Sequence, residues 1–151
     1  MRLYLVQHGE AKTEQEDPER PLTDRGAEDV RRVANRATER GGLAIGQILH
    51  SGKTRARQTA EIWAEVLGVP LDQAEELAPL DDPKVWAARL DTGEEDLMLA
   101  GHLPHLARLA GLLLAGDPER APVAFRQGGL VGLERDPEGW SVWLVLPPAS
   151  I

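Results

Sequence analysis

Apolar positions recur with two rhythms along this chain. Leu3 to Val6, Ile45 to Ser51 and Leu97 to Ala100 are short runs with few charges, the pattern of strands buried on both faces. Between them the spacing becomes helical. Val30, Val33, Ala34 and Ala37 share one face of "LTDRGAEDVRRVANRATERGG", which Gly41-Gly42 terminate. Ala56, Thr59, Ala60, Trp63, Val66 and Leu67 mark one face of "KTRARQTAEIWAEVLG", closed by Gly68. "DDPKVWAARLD" reads as a short helix with proline near its first turn, and "LPHLARLAGLLLAGD" as another long helix opened by a proline. The polar stretch Thr13 to Pro21 is a loop. "VAFRQGGLVGLERDPEGWSVWLVL" alternates around "DPEG", as a hairpin does.

Strands alternating with helices predict an α/β fold: a mostly parallel sheet with helices on both faces, and a C-terminal hairpin whose strands need not be parallel to the rest. No repeat or linker interrupts the 151 residues, so residues 1–151 are expected to form one domain. No apolar run is long enough to span a bilayer, and the first residues lack the long apolar stretch of a secretion signal; the expected location is the cytoplasm. The formal net charge of −8 argues against non-specific nucleic-acid binding. With no cysteine there is neither a disulfide nor a thiolate metal site. In so acidic a chain, arginines gathered at one spot serve a local anion.

Chemistry-bearing residues follow each of the first three strands. Gln7-His8-Gly9 comes after the first, Ser51-Gly52-Lys53 and then Arg55 after the second, Gly101-His102 after the third. Ligands of open α/β sheets bind outside the carboxyl ends of the strands, so His8, Arg55 and His102 are aimed at one rim. Gly9 and Gly101 permit close approach of a ligand or another backbone. Arg55, in the first turn of its helix, sits where free N–H groups also favour an anion. Two imidazoles and a guanidinium suit phosphate chemistry. A neutral histidine can attack phosphorus, arginine can hold two phosphoryl oxygens, and a protonated histidine can stabilise the transferring group.

"QHGEA", "RPLTDRG", "SGKTRARQTAE" and "GHLPHL" together resemble the histidine phosphatase superfamily, specifically its short SixA-type phosphohistidine phosphatase branch. The resemblance covers nearly the whole chain, in order and at matching spacings. It implies a phosphoglycerate mutase-like sheet, no metal and no organic cofactor. It makes His8 the transiently phosphorylated nucleophile, Arg55 the phosphoryl clamp and His102 a charged second histidine. Gln7, Gly9 and Arg20 become substrate-binding residues, and a phosphorylated histidine-containing protein the partner.

Gln7 departs from this pattern, because the family carries arginine there. Glutamine keeps N–H donors but loses the charge and the fork. Three readings follow: a slower but active enzyme, another arginine filling the space, or a module that binds phosphorylated partners without turnover. A small-molecule phosphomonoesterase is the other enzymatic alternative. Larger superfamily members bring a carboxylic acid from an inserted region. Here Glu76, Asp81 and Asp82 lie in the short stretch between Leu71 and Leu97, and the expected groove is open. His105 is expected near the groove rim, His50 at a strand end, and Arg57 solvated or ion-paired.

Overall fold

The computed structural model describes residues 1–148. Six strands and four helices follow one another as β1 (Arg2–Gln7), α1 (Asp24–Arg40), β2 (Gln47–His50), α2 (Thr54–Leu67), β3 (Leu71–Gln73), α3 (Pro83–Thr92), β4 (Leu97–Gly101), α4 (His105–Ala115), β5 (Leu130–Asp136) and β6 (Gly139–Leu146). The strands form one sheet in the order β3-β2-β4-β1-β5-β6. Pairings among β3, β2, β4 and β1 are parallel; β5 pairs antiparallel with both β1 and β6. The expected mostly parallel α/β sheet with a C-terminal hairpin is therefore the observed one. The strand β3 was not foreseen: it is three residues long, with only Leu71 half-buried, too short to show a period.

Side chains of β1 alternate between two cores, as a doubly covered strand requires. Tyr4 and Val6 pack with Val30, Val33 and Ala34 of α1 and Trp63 of α2. Leu3 and Leu5 pack on the other face with Trp86 and Leu90 of α3 and Leu106 and Leu109 of α4. All the helix-face residues read from the sequence for α1 are buried.

The beginning of α1 is drawn tightly onto the end of β1. Thr23 caps the helix by accepting from the Gly26 N–H at 3.0 Å, and its hydroxyl donates to Glu10 Oε2 at 2.6 Å. A Cβ on Gly9 would sit 2.8 Å from the Gly26 carbonyl oxygen, and one on Gly26 would be driven into the backbone of Glu10. The glycine after His8 thus admits another backbone. Gly101 has no such neighbour: its added Cβ would meet only the Leu106 side chain, at 3.4 Å.

Gly26→Ala is accordingly expected to cost roughly 1–3 kcal/mol by overpacking, measured by urea unfolding, and Gly101→Ala clearly less. Equal losses would show that the β1–α1 approach is not the tight one.

Candidate active site

Because β2, β4 and β1 are adjacent and parallel, their carboxyl ends emerge side by side. The His8 N–H donates to the Gly101 carbonyl at 3.0 Å, extending the ladder one residue beyond β1 and fixing the two tips against each other. The rings of His8 and His102 then lie 5.1 Å apart, centroid to centroid, tilted by 54°. Both are buried, at 8% and 1% exposure.

His8 Nδ1 lies 2.8 Å from the Gly9 carbonyl oxygen. A carbonyl only accepts, so this contact is a hydrogen bond when Nδ1 carries the proton, and that tautomer leaves the lone pair on Nε2. His102 Nε2 lies 2.6 Å from Ser51 Oγ, which also accepts from the Lys53 N–H at 3.3 Å. Burial lowers the His8 pKa, partly offset by its bond to Gly9; the charges of Arg55 and Arg20 lower it further. His102 is lowered to about 3, by burial first and then by His8, Arg55, Lys53 and His105. Arg55 opens α2 directly after the β2 tip, and its charge acts on both imidazoles, as that of Arg20 acts on His8 and Arg55.

The five polar or charged residues read from the strand tips and the arginine loop, Gln7, His8, Arg20, Arg55 and His102, thus gather at one end of the sheet. Polar atoms of three of them, Gln7 Oε1, Arg55 Nε and His102 Nδ1, are buried without a hydrogen-bond partner. Arg20 has a left-handed backbone at φ 48°, and its Nε donates to the Lys12 carbonyl at 3.1 Å. It is therefore both loop anchor and neighbour of the pocket.

In the free protein, burial first and the surrounding cations second disfavour the charged form of His102. One expectation needs correction. His105 is not at a rim; it is 0% exposed at the start of α4, with neither ring nitrogen hydrogen-bonded. Although His102 and His105 share an H-x-x-H spacing, among the described residues no three His, Asp or Glu side chains are grouped so as to hold a metal ion. His50 does end its strand: Nδ1 accepts from the Gly52 N–H at 3.1 Å. Arg57 pairs with Glu61.

Sequence reasoning missed Ser51 and the work of Thr59 and Gln58. Thr59 Oγ1 accepts from the Gly9 N–H at 3.1 Å and donates to the Arg55 carbonyl at 2.8 Å. Gln58 Oε1 accepts from the Leu22 N–H at 2.7 Å. Thr59 was legible as a polar residue on an otherwise apolar helix face. Ser51 was visible only as one of several polar residues at a strand tip.

A family model for the histidine phosphatase superfamily (branch 1) matches residues 3–82. An uncharacterised protein of Picosynechococcus sp. is 35% identical over 141 residues, covering 88% of this chain and 84% of that protein. The probable phosphoglycerate mutase GpmB of Escherichia coli is 38% identical over 73 residues, which are 45% of this chain and only 33% of that protein. The structure of the protein histidine phosphatase SixA complexed with tungstate superposes with a TM-score of 0.86 at 25% identity, covering 99% of each chain.

All four histidines have pKa values below the ordinary 6.5, each chiefly through burial. Below about pH 6.5 the unfolded chain binds more protons than the folded one, so stability is full above that pH and falls as pH drops. The urea midpoint is expected to decline between pH 7 and 5, and His50→Gln to flatten the decline. A midpoint constant over that range would contradict the burial of neutral imidazoles.

Proposed function

On the premise that this chain belongs to the histidine phosphatase superfamily, we propose that it is a metal-independent phosphatase removing phosphate from phosphohistidine in a protein partner. The observation that carries this reading is His8 with Nδ1 bound to Gly9 and Nε2 free, 5.1 Å from a second imidazole. In the first step the Nε2 lone pair forms a bond to phosphorus. The P–N bond of the substrate breaks, and the substrate imidazole leaves as it takes up a proton. In the second step water attacks phospho-His8, releasing phosphate and restoring the imidazole. Arg55 holds the phosphoryl oxygens, Gln7 and Arg20 assist, and Gly9 shapes the approach.

His102 becomes charged in the complex. A phosphoryl dianion adds a negative neighbour and raises the pKa that burial and cations had lowered. A doubly protonated ring has two donors: Nε2–H for Ser51 and Nδ1–H for the anion. The otherwise unpartnered Arg55 Nε is a further donor for an anion. The protein histidine phosphatase SixA, similar in fold, was obtained with tungstate, an oxyanion.

The leaving group separates this reading from a small-molecule phosphomonoesterase or mutase, which the partial similarity to a probable phosphoglycerate mutase favours. An alkyl ester needs a strong proton donor. Asp81 is committed to the Ala78 N–H at 2.9 Å, and Asp82 caps α3 through the Lys84 N–H at 2.9 Å. A protonated imidazole leaves without such help. Leu80, 85% exposed beyond β3, and Leu103, exposed beside His102, provide apolar surface at the same end of the sheet for a protein substrate.

Wild-type protein is expected to release phosphate from a phosphohistidine peptide in the presence of a chelator. His8→Ala is expected to abolish release and the acid-labile phosphoenzyme seen by mass spectrometry. Full activity in His8→Ala, or strict dependence on added divalent metal, would sink the mechanism. Gln7→Arg should raise kcat/KM by about tenfold or more, since one charged donor at a reacting centre is worth up to ~10³ in rate. No turnover in either form, with tight phosphopeptide binding, would instead identify a binding module.

A further inference from the structure

Beside the candidate active site lies a cavity of about 460 Å³ to which the reading above assigns nothing. Its walls include Arg25, Asp29 and Arg32 from one face of α1, together with Glu10, Arg126 and Gln127. Residues 25, 29 and 32 stand at i, i+4 and i+7, so the helix presents them as a stripe. Three guanidinium groups and two carboxylates give this surface a local excess of positive charge within a chain of net charge −8.

Neutralisation of the arginines is unequal. Arg32 pairs with Asp29 at 3.1 Å and also donates to the Pro148 carbonyl. Glu10 accepts from the Thr23 hydroxyl. Among the described residues, no carboxylate lies within ion-pairing distance of Arg25 or Arg126; the only side-chain hydrogen bond of Arg126 goes to the Phe125 carbonyl. Both side chains are exposed. Two guanidinium groups free to form bidentate contacts therefore face one cavity.

Its position connects it to the reaction. Glu10 is two residues beyond His8, so the cavity wall begins within about 7 Å of chain from the histidine. Gln127 precedes Gly128, whose N–H is shared by the Gln7 and His8 carbonyls at 3.0 and 3.2 Å. An extended segment running from the pocket toward β5 would lay its next side chains over Arg25 and Arg126.

We propose that this cavity is a subsite for an acidic segment flanking the phosphohistidine of the protein substrate, with Arg25 and Arg126 binding its carboxylates. The proposal rests on the phosphohistidine reading and adds the charge character of the partner. Such rim charges act on encounter and ground-state binding rather than on the chemical step.

Two experiments test it separately from the catalytic reading. In the first, an unphosphorylated fluorescein-labelled peptide with glutamates on both sides of a histidine is titrated by anisotropy. Wild-type protein is expected to bind it in a salt-sensitive way, and the Arg25→Ala/Arg126→Ala variant about three- to tenfold more weakly, the range two rim charge pairs supply. In the second, the phosphorylated form of that peptide is compared with one carrying glutamines instead. The double variant should raise KM for the acidic peptide only, with kcat and turnover of phosphoimidazole unchanged. Equal binding of the labelled peptide by both proteins would overturn the proposal. So would Arg25-dependent binding of citrate or inorganic phosphate, read by calorimetry, with no peptide binding, which would assign the cavity to a small anion. Arginine-dependent peptide binding without turnover of any phosphohistidine substrate would sink the catalytic reading and leave the acidic subsite standing.

Discussion

The Gly9 amide held by the Thr59 hydroxyl is the contact on which the site depends. It joins the residue after His8 to α2, one turn beyond Arg55, whose carbonyl the same hydroxyl engages. The neighbouring Gln58 binds the backbone of Leu22, and so secures the loop that carries Arg20. One helix therefore sets the relative positions of His8, Arg55 and the loop that carries Arg20. Each hydrogen bond contributes only about 1 kcal/mol net, but a buried donor left without its partner costs up to ~3 kcal/mol. The geometry is consequently all-or-none: losing Thr59 would strand the Gly9 N–H beneath α1, which cannot relax because the Gly9 and Gly26 backbones already touch.

That rigid frame governs the electrostatics. Placing two imidazoles and two guanidiniums at one end of a sheet, with the histidines under cover, disfavours the charged form of both rings in the free protein. A neutral His8 is what nucleophilic attack requires. The same cationic surroundings are relieved only by a negative ligand, so the charge on His102 is coupled to occupancy by an anion. In the proposed reaction, protonation of His102 and binding of the phosphoryl group would then go together, and the charged ring would hold the transferring group more strongly as negative charge accumulates on it.

Much of this was legible in the chain because it follows from short-range geometry. Apolar runs marked β1, β2 and β4, and since strand tips in such sheets face one rim, His8, Arg55 and His102 could be brought together from far apart. Val30, Val33, Ala34 and Ala37 announced the buried face of α1 by spacing alone. Other features depend on what lies across the fold. The three residues of β3 carry no period, and its place at the sheet edge comes from pairing with β2. His105 looked like a rim residue because a helix start is usually exposed; the tertiary fold buries it completely. The lowered pKa of His102 is a property of its burial and neighbours, which no local pattern encodes. The close approach of Gly9 to Gly26 was half visible: the glycine was evident, its partner was not.

Gln7 is the point at which these strands of reasoning meet. It ends β1 immediately before His8, in register with Gly101, and is buried. A cation there would strengthen the grip on a phosphoryl group, but it would also add a third guanidinium to the two that already lower the His8 pKa. Lower basicity means weaker attack and a better leaving group, so such a cation would offset part, though not all, of the rate it gains by stabilising the transferring group. Neutral glutamine shifts that balance toward basicity. For phosphohistidine the choice is tolerable, because the substrate already carries a weak P–N bond and an imidazole matched in kind to His8; transfer between two imidazoles asks little of the electrostatic clamp. For an alkyl phosphate the same substitution would be costly, since both the clamp and a proton donor would be wanting. A neutral residue beside His8 is thus a smaller handicap for transfer from nitrogen than for transfer from oxygen.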